Sequence, residues 1–204
     1  MKKLILKLCF AVMAVAFMSG AAFAEFNMRV SIDTPGTYTA KKNNVTKAYD
    51  FDSYVSATFS GDYMKRVAGQ YLSLGGGFEI SIPKVYEYTK IDDEAFWFLP
   101  VYFSIQTNPI PDIGLFLKAN LGYNVIFLDS AYSNHYSVTF KGGLYYALAA
   151  GYEFPFGLIA DITYAVYNGT AESKYSLLSP VYERDYVYTR IAASIGYKFG
   201  RPRR

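Results

Sequence analysis

YSVTFKGGLYYALAAGYEF, residues 136–154, decides the fold, because its residues sort onto two unlike faces. Tyr136, Val138, Phe140, Leu144, Tyr146, Leu148, Tyr152 and Phe154 share one face; Ser137, Thr139, Lys141, Gly143, Gly151 and Glu153 share the other. Side chains of an extended chain alternate at period two, so this is one long amphipathic strand. It exceeds the roughly 9 to 11 residues that a tilted strand needs to cross a bilayer.

Seven more stretches alternate in the same way, over residues 26–34, 51–61, 71–82, 96–106, 113–127, 156–167 and 186–199. With each phase set by its apolar residues, one face collects Arg29, Lys118, Lys141, Arg190 and Lys198 together with Asp33, Asp52, Glu79, Glu153 and Asp161. The other face carries no charge. A soluble sheet turns its charges to water, whereas here the apolar face has the character of a surface in lipid. The pattern predicts an all-β fold, an eight-stranded antiparallel up-and-down transmembrane β-barrel, with an even strand number as single-chain bacterial barrels have. The five acids and five bases then line a lumen only just wide enough for side chains, where stranding one charge costs on the order of 3–5 kcal/mol. A plug of salt bridges is the expected role of this network.

Residues 1–24 read as a secretory signal: Lys2 and Lys3 open it, Leu8 to Phe17 form its apolar stretch, and Ala22-Phe23-Ala24 is the small-x-small site before Glu25. The apolar run is shorter than the roughly 20 residues of a membrane-spanning helix. Cleavage after Ala24 leaves residues 25–204 as one outer-membrane β-barrel domain. Cys9 is removed with the leader, so the mature chain has no thiol for disulfides or metal. Of 20 Lys plus Arg, Lys2, Lys3 and Lys7 also leave, and the 17 that remain equal the 17 Asp plus Glu. The basic balance of the whole chain is a property of the leader and gives no support for nucleic-acid binding. Beyond the leader, no run approaches about 18 consecutive apolar residues, so spanning helices are excluded and the bacterial cell outer membrane is the expected destination.

Connections alternate in length. Those over 35–50, 83–95, 128–135 and 168–185 are mostly long, and those over 62–70 and 107–112 and at Pro155 are short. With both termini in the periplasm, the long ones are extracellular. Pro155, and Thr107 to Asp112 with its two prolines, mark tight turns. Phe26, Tyr152, Phe154, Phe156, Tyr197 and Phe199 form an aromatic band at the periplasmic strand ends, and Trp97, Phe127 and Tyr136 one at the outer ends, as membrane interfaces favour. Gly77-Phe78-Glu79, Gly122-Tyr123-Asn124, Gly151-Tyr152-Glu153 and Gly196-Tyr197-Lys198 repeat a local theme. An inward glycine makes room in the lumen while an outward ring covers the backbone beside it.

These strands, with the terminal Ile191-Ala192-Ala193-Ser194-Ile195-Gly196-Tyr197-Lys198-Phe199, make the mature chain resemble the small outer-membrane β-barrel families typified by the OmpA transmembrane domain, OmpX and OmpW. The resemblance implies that the terminal aromatic strand signals to the barrel-assembly machinery. The chain departs from that pattern by adding the basic tail Gly200-Arg201-Pro202-Arg203-Arg204, read as a solvated end. Its partners would be outer-membrane lipid and lipopolysaccharide, and an extracellular ligand or host surface met by the loops.

Other candidate chemistry is weaker. His135, the only histidine, stands in the third outer connection without a nucleophile or base motif, so neither it nor any other residue is read as catalytic. Asp92-Asp93-Glu94 lacks the spaced ligands of a calcium loop, and no metal or cofactor is expected. Gly75-Gly76-Gly77 lacks the Gly-Lys-Ser/Thr of a phosphate loop and reads as a bend or thin wall. Lys41, Lys42 and Lys47 make the first outer connection basic, suited to lipopolysaccharide phosphates. The leading expectation is a non-enzymatic barrel with a structural or surface-interaction role. The alternatives are a narrow channel or carrier for small or apolar solutes, as OmpW-like barrels suggest, and a lipid-modifying enzyme. A soluble lipocalin-like barrel is the competing fold; its polarity is the reverse.

Overall fold

The computed structural model describes residues 24–34, 37–42, 45–50, 56–81, 84–85, 95–110, 112–129, 137–174 and 182–200. Asp52, Asp92-Asp93-Glu94, His135 and Tyr136, singled out from the sequence, lie outside them. Eleven strands pair antiparallel: β1 (Ala24–Asp33), β2 (Thr37–Lys42), β3 (Val45–Asp50), β4 (Ser56–Ala68), β5 (Leu72–Ser81), β6 (Lys84–Val85), β7 (Ala95–Ile110), β8 (Leu115–Asp129), β9 (Ser137–Glu153), β10 (Leu158–Lys174) and β11 (Tyr182–Phe199). Among the described residues β1 pairs with β4, β4 with β5 and β5 with β7, β7 to β11 pair in turn, and β11 returns to β1 in register from Phe26↔Phe199 to Asp33↔Ala192. The sheet is closed into an eight-stranded barrel.

Eleven segments make eight staves because three of them prolong others. Above Asp33↔Ala192, β2 takes over the same edge of β11, from Thr37↔Thr189 to Asp185↔Lys41, and β3 pairs back on β2. Residues 37–50, expected as a loop, are thus largely a hairpin. Tyr38, Ala40, Val45 and Tyr49 share one face, but Lys42 and Lys47 interrupt it, so the apolar alternation that marks the other strands is broken. β6 likewise carries the β5 stave further along β7.

Several strands outrun their predicted ends; β10 runs past Tyr167 to Lys174 and β11 begins at Tyr182. β4 continues beyond Gly61 to Ala68, and β7 absorbs Thr107 to Ile110, which the prolines had suggested was a turn. A register shift between Thr107 and Ile110 accommodates Pro109, which has no N–H for a ladder bond. The reversals at this end are correspondingly tight. Gly157 adopts φ 91° in the turn after β9, where its N–H donates to the Phe154 carbonyl, a backbone state open to glycine at no steric penalty.

Polarity runs opposite to that of a soluble protein. Along β8, Phe116, Lys118, Asn120 and Asn124 are buried in the barrel, while Leu115, Leu117, Leu121 and Tyr123 are exposed; Leu121 is 59% accessible and Lys118 is 4%. Val30, Ile32, Phe103, Leu148, Ile162 and Ile195 extend the apolar outer wall around the circumference. A belt of this kind is stable against acyl chains and not against water, which excludes the lipocalin-like alternative. Among the described residues no helix is long and apolar enough to cross a membrane.

The inward glycines follow from the narrow bore. A Cβ on Gly122 would stand 2.1 Å from the Val101 carbonyl oxygen and 2.7 Å from the Cβ of Tyr102; one on Gly77 would stand 2.6 Å from Asp62 Oδ1 and 2.9 Å from the Tyr102 ring. Gly75, Gly76 and Gly77 all lie within β5, so the triplet is wall and not loop. Gly122→Ala is therefore expected to lower unfolding stability in detergent micelles by about 1–3 kcal/mol. Gly76→Ala, whose nearest atom would lie at 3.1 Å, should lose less. Equal losses in guanidinium titrations would contradict the crowding argument.

Candidate functional site

The lumen is the densest concentration of charge in the described structure, and it is organised in layers. Period-two alternation on each strand puts residues 25, 27, 29, 31 and 33 of β1, 58, 60 and 62 of β4, 118 and 120 of β8, and 190, 194 and 198 of β11 inside. At the end bearing the short turns, Lys198 Nζ lies 2.7 Å from Glu25 and 2.9 Å from Glu153, and Arg66 at the rim lies 2.5 Å from Glu25. One layer further in, Asp62 is fully buried and accepts hydrogen bonds from Arg29, from Lys118 at 2.7 Å and from the Tyr102 hydroxyl at 2.8 Å. Arg29 Nε also lies 3.1 Å from Asp161.

The third layer is built on Arg190, whose two terminal nitrogens pair with Asp33 and Glu79. Tyr167 donates to Glu79, and Tyr145 does so at 3.4 Å. Thr58 accepts from Arg190 at 2.5 Å and donates to Asp33 at 2.8 Å. Between the second and third layers, Ser31, Ser60, Ser194, Asn120 and Thr163 help line a cavity of about 20 Å³. That is room for about one water in a polar setting.

Rings cap the third layer on the side of the long connections. Phe98 stacks on Tyr188 with centroids 5.4 Å apart, and Tyr167 touches Phe98, Tyr145 and Tyr188 at 5.1–5.5 Å. The Arg190 guanidinium lies 5.3 Å from the Tyr167 ring centroid, a cation–π contact that ties the cap to the ion layer. Among the described residues no three of His, Cys, Asp and Glu converge as a metal site would require.

Of the ten lumen charges read from the sequence, Arg29, Asp33, Glu79, Lys118, Glu153, Asp161, Arg190 and Lys198 are buried inside, and Asp52 lies outside the described residues. Lys141 is a correction. The β9–β10 ladder pairs Tyr145 with Tyr167 but Gly142 with Gly169, so β9 holds one residue more than β10 across this bulge. The extra residue reverses the faces, and Lys141 is exposed on the outer wall. Two buried acids were missed. Asp62 continues the inward parity of Thr58 and Ser60 past the supposed strand end, and Glu25 continues that of Asn27 toward the supposed cleavage site. The sequence's equality of five acids and five bases gives way, among the described residues, to six buried carboxylates against Arg29, Lys118, Arg190 and Lys198.

The aromatic residues fall near both rims. Phe26 and Phe199 lie 6.4 Å apart, Tyr197 and Phe199 5.0 Å, Tyr152 and Phe154 4.8 Å, and Phe154 and Phe156 5.6 Å at the turn end. Trp97 and Phe127 are cross-strand partners toward the other end.

A solved structure with the same architecture is the outer membrane protein AlkL, determined in DMPC lipid bilayers: TM-score 0.53, 14% identity, covering 91% of this chain and 94% of that one. The fold is that of a small outer-membrane barrel. OprG from Pseudomonas aeruginosa (TM-score 0.49, 11% identity, 89% and 98% covered) and Ail of Yersinia pestis (0.48, 14%, 87% and 99%) are also similar. At such identities the likeness is one of fold. No family model and no curated protein matches the chain.

Within this barrel, Arg190→Met would leave Asp33 and Glu79 facing each other in the lumen without their cation. The expected loss is about 3–5 kcal/mol, read from the guanidinium midpoint in micelles. Adding Glu79→Gln should restore part of it. A double variant no more stable than the single one would show that Arg190 acts through packing and not through charge.

Proposed function

We propose that the protein is a closed, non-enzymatic β-barrel of the bacterial outer membrane, whose lumen is structural and whose partners are met at the end bearing the long connections. One observation carries this reading: three ion-paired layers and an aromatic cap cross the bore, and the cavity between the second and third has room for about one water. The barrel then serves as a rigid mount. In this reading Ala24 is the last residue of a cleaved leader, both termini face the periplasm, and the β2–β3 hairpin projects outward. Its sequence, with Lys41, Lys42 and Lys47, is basic and suited to lipopolysaccharide phosphates, and an extracellular ligand or host surface is the partner beyond it. The terminal strand β11 addresses the assembly machinery, and the Arg-rich tail stays in the periplasm.

A carrier for small apolar solutes is the second reading, favoured by a gap in the wall. The β5–β7 ladder ends at Phe78↔Val101, and the next described pair is Lys84↔Phe96. Pro100 lies in the gap and has no N–H to bridge it.

Planar-bilayer recording separates pore from plug. The refolded protein is expected to give no discrete conductance steps in 1 M salt (about 3 Å of screening length, so that surface charge is silenced). Reproducible steps would overturn the closed-lumen reading. Faster octane uptake by cells carrying the protein, abolished when the gap is closed by a disulfide across β5 and β7, would replace the mount with the carrier.

A further inference from the structure

We infer that the outer ion layer holds a small monovalent metal cation, Na⁺ or K⁺, against Asp33. The layers differ in their balance. At the turn end Lys198 and Arg66 meet Glu25 and Glu153, and in the middle Arg29 and Lys118 meet Asp62 and Asp161. In the outer layer a single guanidinium, that of Arg190, is shared by Asp33 and Glu79. Among the described residues this layer is one positive charge short.

The hydrogen bonds locate the shortfall. Glu79 receives Arg190, Tyr167 and Tyr145, so both of its oxygens are engaged. Asp33 is 1% exposed and uses only Oδ2, which takes Arg190 and Thr58; its Oδ1 is buried without a hydrogen-bond partner among the described residues. A buried carboxylate oxygen left unmatched is costly, and an electrostatic partner is the remedy.

Two hydroxyls on the neighbouring strands are unmatched as well. Ser56 Oγ and Ser81 Oγ are also buried without a hydrogen-bond partner among the described residues. Ser56 is the cross-strand partner of Asp33, and Ser81 that of Thr58, so all four residues form one inward patch across β1, β4 and β5. Directly opposite residues hold their Cβ atoms about 4.5–5.5 Å apart, which sets Ser56 beside Asp33 and Ser81 beside the Thr58 that donates to Asp33. Ser81 is 2% exposed, whereas Ser56 is only half-buried and leaves an approach for the ion.

The donor set selects the class of ion. One carboxylate oxygen and neutral hydroxyls offset a single charge, whereas Ca²⁺ collects several carboxylates and carbonyls, and Mg²⁺ demands near-ideal octahedral geometry. Thiolates and imidazoles, which soft metals favour, do not contribute. The site does not depend on whether the barrel conducts, so its test stands apart from the conductance measurement.

The test uses the refolded full barrel at constant ionic strength, with N-methylglucamine chloride replaced stepwise by NaCl or KCl. The thermal unfolding midpoint is expected to rise saturably, as binding to the folded state alone requires. Asp33→Asn keeps the shape of the side chain and should abolish the dependence on either ion while the barrel still shifts on gels with heating. Ser81→Ala should weaken the apparent affinity, and crystals soaked in RbCl should show an anomalous peak beside Asp33. If the midpoint is indifferent to cation identity, follows only pH, or responds only to Ca²⁺ or Mg²⁺, the assignment is overturned; it is equally overturned if Asp33→Asn retains the response.

Discussion

Closure between the first and last strands is the constraint from which the remaining structure follows. A strand edge in hydrocarbon would leave N–H and C=O groups without partners at several kcal/mol each, so a spanning sheet must meet itself. The ladder between β1 and β11 does this. Eight staves then set a bore only just wide enough for side chains to fill. Everything that points inward must fit that bore, which is why Gly122 and Gly77 stand where Tyr102 crosses it. Everything inward must also be satisfied there, which is why carboxylates, guanidinium groups and tyrosine hydroxyls occur together.

This order of causes explains how much of the architecture could be read from the chain. Alternation identifies strands wherever one face meets lipid, and it placed Arg29, Glu79, Lys118 and Arg190 on the inner wall without coordinates. It failed where its physical basis failed. In the β2–β3 hairpin Lys42 and Lys47 interrupt the face that carries Tyr38, Ala40, Val45 and Tyr49, so its pattern does not distinguish strand from loop. The bulge near Gly142 carries no sequence mark beyond a glycine pair, yet it moves Lys141 from lumen to surface. Asp62 and Met64 keep the inward parity of Thr58 and Ser60, but Gly61, with no side chain, breaks the apolar outer face beside them. Which acid meets which base was never legible, because pairing across the bore depends on stagger between strands distant in sequence.

The layered lumen also constrains what the molecule can do. Ion pairs buried in a low-dielectric bore contribute modestly to stability when intact and are expensive to break, so they favour one arrangement over nearby ones. The rings above Arg190 add apolar contact and a face for its charge. A filled bore is stiff, and stiffness suits a support for loops.

The seam between β1 and β11 has a further consequence, for how a strand knows where to stop. Sliding β11 by two residues keeps every side chain on its proper face, so hydrophobicity cannot detect the error. The inner row can. In the native register Arg29 lies against Gly196, the one inward position of β11 without a side chain, while Ser31 and Ser194 hydrogen bond at 2.9 Å. Moved by two residues in one direction, Arg29 would confront Lys198; moved in the other, it would have to pass over Ser194. The lumen is thus a ruler that sets how β11 is matched to β1.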